Sequence, residues 1–542
     1  MPQLTGGQAI IKSLEQRGVK TVFGLPGGQL YYLFDALNQA SKSINLINSR
    51  HEQGVGYMAY GYAKSTGSVG VYTVVPGPGV LNSSSALCTA YSTNTPVLCI
   101  AGQIPSQWIG KGAGLLHEIP DQLGVLRSLT KYAQRIEKPA EAPNLIREAY
   151  TELLTGRPRP VALEMAEDIL GVKEEVALLD PIAEYEALEP DSGLIKDSAK
   201  LLGSAKNPLV VVGSGAMDAG KEVLEIAEML QAPVTTLWSG KGVIDERHYL
   251  SQSNPAGHEL WSKADVILAI GTRLSIPRIH WGMDDHLKII HIDIDDEELN
   301  RLGNPDIGIL GDAQLSLTQL INTLPEYNRN RPSRKDELLS LKKGMVKEFE
   351  KNIGPQLEII NVIREELPED GFFVDEVTQV GFASWYAFPC YHPRHFITSG
   401  YQGNLGYGYA TALGVKAAHP DKKVISISGD GGFMYQAQEL ATAVKYGLDV
   451  VAIIFNNNLY GNVQNDLELM FDGQSIGADL HNPDFVKFAE SFGAVGFKAS
   501  NPTELRSAIQ RAFAESGPTL IEMTVGKMPR PWPYINLPKC RG

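Results

Sequence analysis

The chain's most restrictive feature is a rhythm. Short runs rich in β-branched residues alternate with amphipathic stretches, and each run closes on glycine, proline or a polar cluster. That alternation marks βαβ units and parallel sheets buried on both faces. It comes in three blocks. In residues 1–171 the runs are TVFGLPGG, INLINSRHE, VGVYTVVPGPG, TPVLCIAGQIP and RPVALEMAED. Residues 194–335 hold NPLVVVGSGA, APVTTLWSGKG, ADVILAIGTRL and LKIIHIDIDDEEL. Residues 350–530 hold DGFFVDEVT, HFITSGYQGN, KVISISGDGG, DVVAIIFNNN and GPTLIEMTVG. The acidic stretch 172–193 and the proline-marked stretch 325–344 read as connectors, and 531–542 as a tail. The expectation is an α/β protein of three doubly wound parallel-sheet domains, the first and third laid out alike.

Composition narrows the function classes. With 542 residues, 43% of them hydrophobic, the chain can bury several cores. A net charge of −14 lacks the basic footprint that nucleic acid or an anionic membrane requires, so neither partner is expected. Cys88, Cys99, Cys390 and Cys540 form no metal-binding pair and are too few for a disulfide framework. No stretch reads as a signal or transit segment, and no window reaches a membrane span. A cytoplasmic, soluble protein is the expectation.

Ligands of parallel sheets gather at the carboxyl ends of strands. One such end reads VISISGDGGF (424–433), where Asp430 stands alone among glycines with no lysine following to make a P-loop. Downstream, the pattern predicts a helix of about three or four turns over Tyr435–Lys445. Gly447 would stop it, and a second buried strand over Val450–Phe455 leads to Asn456–Asn458. A right-handed βαβ unit makes the two strands neighbours or near-neighbours and brings Asp430 beside Asn457. A carboxylate, an amide oxygen and a free carbonyl suit Mg²⁺, which fills its shell with water and substrate phosphates. The glycines would let phosphate oxygens reach backbone N–H groups at a helix amino terminus. A tight turn capped by Asp430 is the plainer alternative. The asparagines at the matching end of the next strand favour the metal.

This pairing resembles the motif of thiamine-diphosphate-dependent enzymes, and the resemblance covers nearly the whole chain in the acetolactate synthase and pyruvate oxidase branch. It implies pyrimidine-binding, central and diphosphate-binding domains. Mg²⁺ would be held by Asp430, Asn457 and the backbone oxygen of Leu459, with Gly431, Gly432, Tyr460 and Gly461 beside the cofactor. Glu52, in NSRHEQGVGYMAYGYAK, falls where the family carries the glutamate that hydrogen-bonds the aminopyrimidine and activates the ring. Read alone, it would be a helix-start charge. FGLPGGQ (23–29), VVPGPGVLN (74–82) and AGQIP (101–105) resemble the pyrimidine-binding domain, which implies that Pro26, Pro78 and Asn82 line the cofactor. TSGYQGNLGYGYATALG resembles the segment facing the pyrimidine. There the Gly403 carbonyl would accept from the amino group, and Leu405, otherwise an ordinary core residue, would wedge beneath the bent cofactor. In this branch the cofactor lies between two subunits, so the resemblance implies a homodimer at least, and a homotetramer is common.

The layout is similar to acetolactate synthase catalytic subunits, which implies decarboxylation of a pyruvate-like 2-oxo acid and ligation to a second carbonyl. A simple decarboxylase of the benzoylformate type is the alternative, and His51 and His117 keep it open. IGKGAGLLHEIPDQLG (109–124) replaces the AFQE-like segment of the biosynthetic synthases and brings His117 and Glu118, either catalytic candidates or a surface loop. Asp466 stands where those enzymes carry the tryptophan that shapes the acceptor pocket, and Gln379 is a looser candidate. SNPAGHELW (253–261) only partly matches the family's flavin-associated GMHG-like element, so FAD is not expected. VVVGSGAMDAG with HIDIDDEEL offers a rival reading as a nucleotide-binding dehydrogenase, which leaves the Asp430–Asn457 pairing unexplained. A scaffold with retired chemistry would have no need of Glu52.

Overall fold

The computed structural model describes residues 1–182 and 185–542. Three sheets of six parallel strands organise them. In the first, the spatial order is Asn45–Asn48, Thr21–Gly24, Gly70–Val74, Val97–Gln103, Val161–Ala166, Tyr132–Ile136. In the third, it is Phe396–Ile397, Phe372–Val374, Val424–Gly429, Val450–Asn456, Thr519–Thr524, Val495–Ala499. Numbered along the chain, both run second, first, third, fourth, sixth, fifth, so the expected likeness of the outer domains is real. The central sheet differs: Ser251–Gln252, Val234–Thr236, Pro208–Val212, Val266–Ile270, Lys288–Asp293, Ile307–Leu310, the order of dinucleotide-binding folds. Central strands such as Val97–Gln103 and Val450–Asn456 are buried along their whole length, which is why they read as unbroken apolar runs.

The outer domains share a core. Helix Glu52–Thr66 crosses helix Gly408–Ala418 backbone to backbone, and two glycines permit it. A Cβ on Gly61 would lie 2.0 Å from the Thr411 carbonyl oxygen, and one on Gly414 only 1.9 Å from that of Met58. Tyr57, Met58 and Tyr60 pack there with Tyr407, Tyr409 and Leu413.

Two connectors and the tail differ from expectation. Lys173–Glu175 is a strand pairing antiparallel with Gln3–Thr5, because buried Leu4 and Val176 pin a run whose charges otherwise face water. Part of the 172–193 connector, residues 183–184, lies outside the described residues. The second half of 325–344 is helical, since Lys335–Glu366 is one helix kinked at Ile353 beside Pro355. The tail is docked: the N–H groups of Cys540 and Arg541 donate to the Trp281 carbonyl at 2.8 and 3.1 Å. Among the described residues, no helix is long and apolar enough to cross a membrane.

Candidate cofactor site

Strands Val424–Gly429 and Val450–Asn456 are direct neighbours, with Gly429 opposite Phe455, so Asp430 and the asparagines leave the sheet side by side. Asp430 is 2% exposed. Its Oδ1 accepts from the Gly431 N–H at 2.9 Å and its Oδ2 from the Asn482 amide at 2.8 Å. Burial pushes its pKa up, a cost that an adjacent cation would offset. The Asn482 amide also donates to Asn456 Oδ1 (3.2 Å) and Asn458 Oδ1 (3.1 Å), so side-chain oxygens of three residues on two segments converge on one positively polarised group. The Asn457 side chain makes no hydrogen bond among the described residues. Tyr460 N–H donates to Ala478 O and Leu480 N–H to Asn458 O, which leaves the Leu459 carbonyl without a backbone donor. Such a hard-oxygen set fits Mg²⁺. Among the described residues, no three His, Cys, Asp or Glu side chains gather as a self-sufficient metal site, so water and phosphate would supply the remaining ligands.

The glycines serve the protein's own packing. A Cβ on Gly431 would lie 2.3 Å from the Tyr460 ring, and one on Gly432 only 2.1 Å from Glu376 Oε1. The helix predicted over Tyr435–Lys445 is shorter: after a turn at Asp430–Phe433 come a second turn at Ala437–Glu439 and helix Leu440–Tyr446, ended by Gly447 at φ +62°. Buried Gln436 and Glu439 aim into the first domain instead of continuing one helical face.

Two acids were missed by sequence reasoning. Buried Glu376 accepts from the Gly406 N–H (2.8 Å), the Gly408 N–H (3.2 Å) and the Ser428 hydroxyl (2.7 Å). Its neighbour Asp375 accepts from the Trp385 indole at 2.6 Å and from the Tyr407 hydroxyl. Burial pushes Glu376 up to about 7 and Asp375 up to about 8. Together they lash the segment bearing half-buried Leu405 and exposed Gly403 to the end of strand Val424–Gly429. The available signal was a pair of acids ending an apolar run, DGFFVDEVT.

In the first domain, Glu52 opens its helix. His51 caps it by accepting the Gln53 N–H on Nδ1 at 3.1 Å, so His51 is spent on local structure. Asn82 donates to Glu52 Oε2 at 3.0 Å from helix Pro78–Ser92, which follows Gly77 at φ +58°. Pro26 lies exposed just before Gln29, and Gln29 pairs with His117 Nδ1 at 3.0 Å and the Leu116 carbonyl at 3.1 Å. The His117 carbonyl in turn lies against Gly77. Pro26, Glu52, Pro78 and His117 thus each follow the carboxyl end of a strand of the first sheet, and Asn82 reaches back to Glu52. Glu118 holds its own loop through the N–H groups of Leu115 (2.9 Å) and Ala113 (3.2 Å), bonds that keep its carboxyl below the usual range.

Among the described residues, no hydrogen bond joins Glu52 or Asn82 to Asp430, Asn457 or Leu459. Glu52 with Asn82, and Asp430 with the asparagines, form two side-chain groups. Beside the second, Gln379 reaches Asn462 at 3.4 Å, Trp532 donates to Asn462 at 3.0 Å, and Asp466 pairs with Arg530 at 2.6 Å. A separate cavity of about 970 Å³ lies at the carboxyl ends of the central sheet, lined in part by Gly213, Gly215, Gly271, Arg273 and Asp293.

Paired α/β domains, one with a hard-oxygen set where adjacent strands end and the other with an acid at a strand end, mark a cofactor-dependent enzyme. The chain belongs to the thiamine pyrophosphate enzymes. Residues 4–125 match that family's N-terminal TPP binding domain, 195–320 its central domain and 376–523 its C-terminal TPP binding domain. The chain is 34% identical to a probable acetolactate synthase large subunit of Methanococcus aeolicus, covering 96% of this chain and 92% of that one. It is 32% identical to the acetolactate synthase large subunit of Haemophilus influenzae (95% and 93%). It is also 32% identical to a probable 2-ketoarginine decarboxylase of Pseudomonas aeruginosa (96% and 94%). Thiamine diphosphate is accordingly its cofactor.

Proposed function

We propose that the protein decarboxylates a pyruvate-like 2-oxo acid and ligates the remaining fragment to a second carbonyl, with Mg²⁺ clamping the cofactor. The observation that carries this is buried Asp430 emerging beside an unpartnered Asn457 from adjacent parallel strands. Bound thiamine diphosphate supplies the nucleophilic ring carbon and the electron sink for loss of CO₂. Asp430, Asn457 and the Leu459 carbonyl hold the metal; Gly431, Gly432, Tyr460 and Gly461 shape the wall around the diphosphate. The Gly403 carbonyl and Leu405 orient the pyrimidine, and Pro26, Pro78 and Asn82 line its other side. Glu52, held by Asn82, carries the proton that passes to and from the pyrimidine. His117, its ring fixed by Gln29, faces the substrate.

The resemblance to the acetolactate synthase branch supports completion by a second copy, Glu52 of one chain serving the metal site of the other, in a cytoplasmic homodimer or homotetramer. Flavin stays outside the reading because of the partial SNPAGHELW match, and yellow colour in the purified protein would overturn that. A second reading, simple decarboxylation, draws support from Asp466 and Arg530 filling the place of an acceptor-pocket tryptophan. The probable 2-ketoarginine decarboxylase among the relatives adds to it. Incubation with pyruvate, thiamine diphosphate and Mg²⁺ tests both: acetolactate with CO₂ supports ligation, acetaldehyde alone supports the second reading. Absence of CO₂ from pyruvate and from 2-ketoarginine removes both.

A further inference from the structure

The loop that carries Glu52 is held by the third domain of its own chain. The Glu439 carboxylate, fully buried, accepts the Arg50 N–H at 3.1 and 3.2 Å and is oriented by the Thr442 hydroxyl at 2.6 Å. Gln436 donates to the Gln53 side chain at 2.7 Å. At the end of the strand, the Asn48 N–H donates to the Tyr446 hydroxyl at 3.0 Å. Residues 48, 50 and 53 thus bracket Glu52 with bonds to a segment that begins at the Asp430 turn. Gly54 allows the approach: a Cβ there would lie 2.8 Å from the Glu439 carboxylate and 3.0 Å from Gln436 Oε1.

We infer that Glu439 is a positioning residue for Glu52: by fixing the Arg50 N–H it sets where the helix bearing Glu52 begins, and so where the activating carboxylate stands against the pyrimidine. The inference rests on the role proposed above for Glu52. It requires only two atoms of Glu439, both already committed to donors, and no chemistry of its own. A buried acid bonded to a backbone N–H keeps that bond in place because an unpaired carboxyl group inside the protein is costly. Misplacing an activating group by about 1 Å slows the step it serves by about 10²-fold.

The test uses the full chain with thiamine diphosphate and Mg²⁺, and reads hydrogen–deuterium exchange at the thiazolium C2 of the bound cofactor. Glu439→Ala is expected to slow that exchange by about 10²-fold while cofactor affinity stays within about threefold. Glu439→Gln, which keeps an acceptor for the Arg50 N–H, restores most of the rate. In cofactor-free protein, Glu439→Ala also speeds amide exchange in residues 49–53. Gly54→Ala, which pushes on the same carboxylate, gives the same pattern and decides the matter if Glu439→Ala does not fold. Glu52→Gln separates the two claims. If it slows C2 exchange and Glu439→Ala and Gly54→Ala leave the rate unchanged, the positioning role is overturned and Glu52 keeps its own. If Glu52→Gln leaves the rate unchanged, the role of Glu52 falls and this inference with it.

Discussion

Gly432→Ala probes the tightest packing at the cofactor site. Its Cβ would lie 2.1 Å from Glu376 Oε1, inside the 3.0 Å that Cβ atoms do not breach, and 3.6 Å from Leu405 Cδ2. The carboxylate must retreat by about 1 Å. It is buried, and the same oxygen holds the Gly406 N–H at 2.8 Å, so retreat breaks that bond. A hydrogen bond to a buried acid is worth about 1.5–3 kcal/mol, and overpacking adds about 1–3 kcal/mol. A cost of about 2.5–6 kcal/mol follows, which lowers the melting transition of a domain this size by about 5–24 °C. Thermal melts of the full chain read this directly. The partner substitution Glu376→Ala makes room for the new methyl, so the double variant should melt higher than the two single losses added together predict, by at least about 1 kcal/mol of coupling. A Gly432→Ala melting point within about 1 °C of the parent, with strictly additive double-variant losses, would refute the packing argument.

The other predictions test neighbouring claims. Asp430→Ala removes the only acid of the oxygen set and should weaken Mg²⁺-dependent binding of thiamine diphosphate by at least about 10²-fold, measured by fluorescence titration. Glu52→Gln should cut turnover by about 10²–10⁴-fold with cofactor affinity little changed, seen by comparing kcat with the same titration. Asp375 and Glu376, pushed up to about 8 and about 7, keep protons in the folded state that the unfolded chain has lost. Their contribution to stability is therefore full below about pH 4 and fades as pH rises to about 8; Asp375→Asn should flatten that fall in a series of melts. Asp466→Ala breaks a half-exposed ion pair with Arg530, so stability should move by less than about 1 kcal/mol while the ratio of ligated product to aldehyde changes.

The sheets were legible because strands covered on both faces must be apolar throughout, and runs such as LVVV at 209–212 or IIF at 453–455 admit little else. Asp430 and Asn457 were legible because each ends such a run and one helical connection separates them. Glu376 and Glu439 were not. An acid's use depends on which N–H groups the fold brings to it, and the donor to Glu439 is 389 residues away. The shortened helix after Asp430 has the same origin: Gln436 and Glu439 satisfy partners in another domain, and local periodicity carries no record of them. The charged strand Lys173–Glu175 was hidden by its composition, because of the strand and its two flanking residues only Val176 is buried.

Helix Lys335–Glu366 has a practical bearing on any attempt to dissect the molecule. Its early residue Leu338 belongs to the central core, while Met345, Phe349 and Ile353 belong to the third. A fragment started at residue 350 would discard Met345 and Phe349 and bare the apolar surface they cover. One that kept the whole helix would take Leu338 from the domain before it. The two modules share a single rod, and no cut leaves both whole.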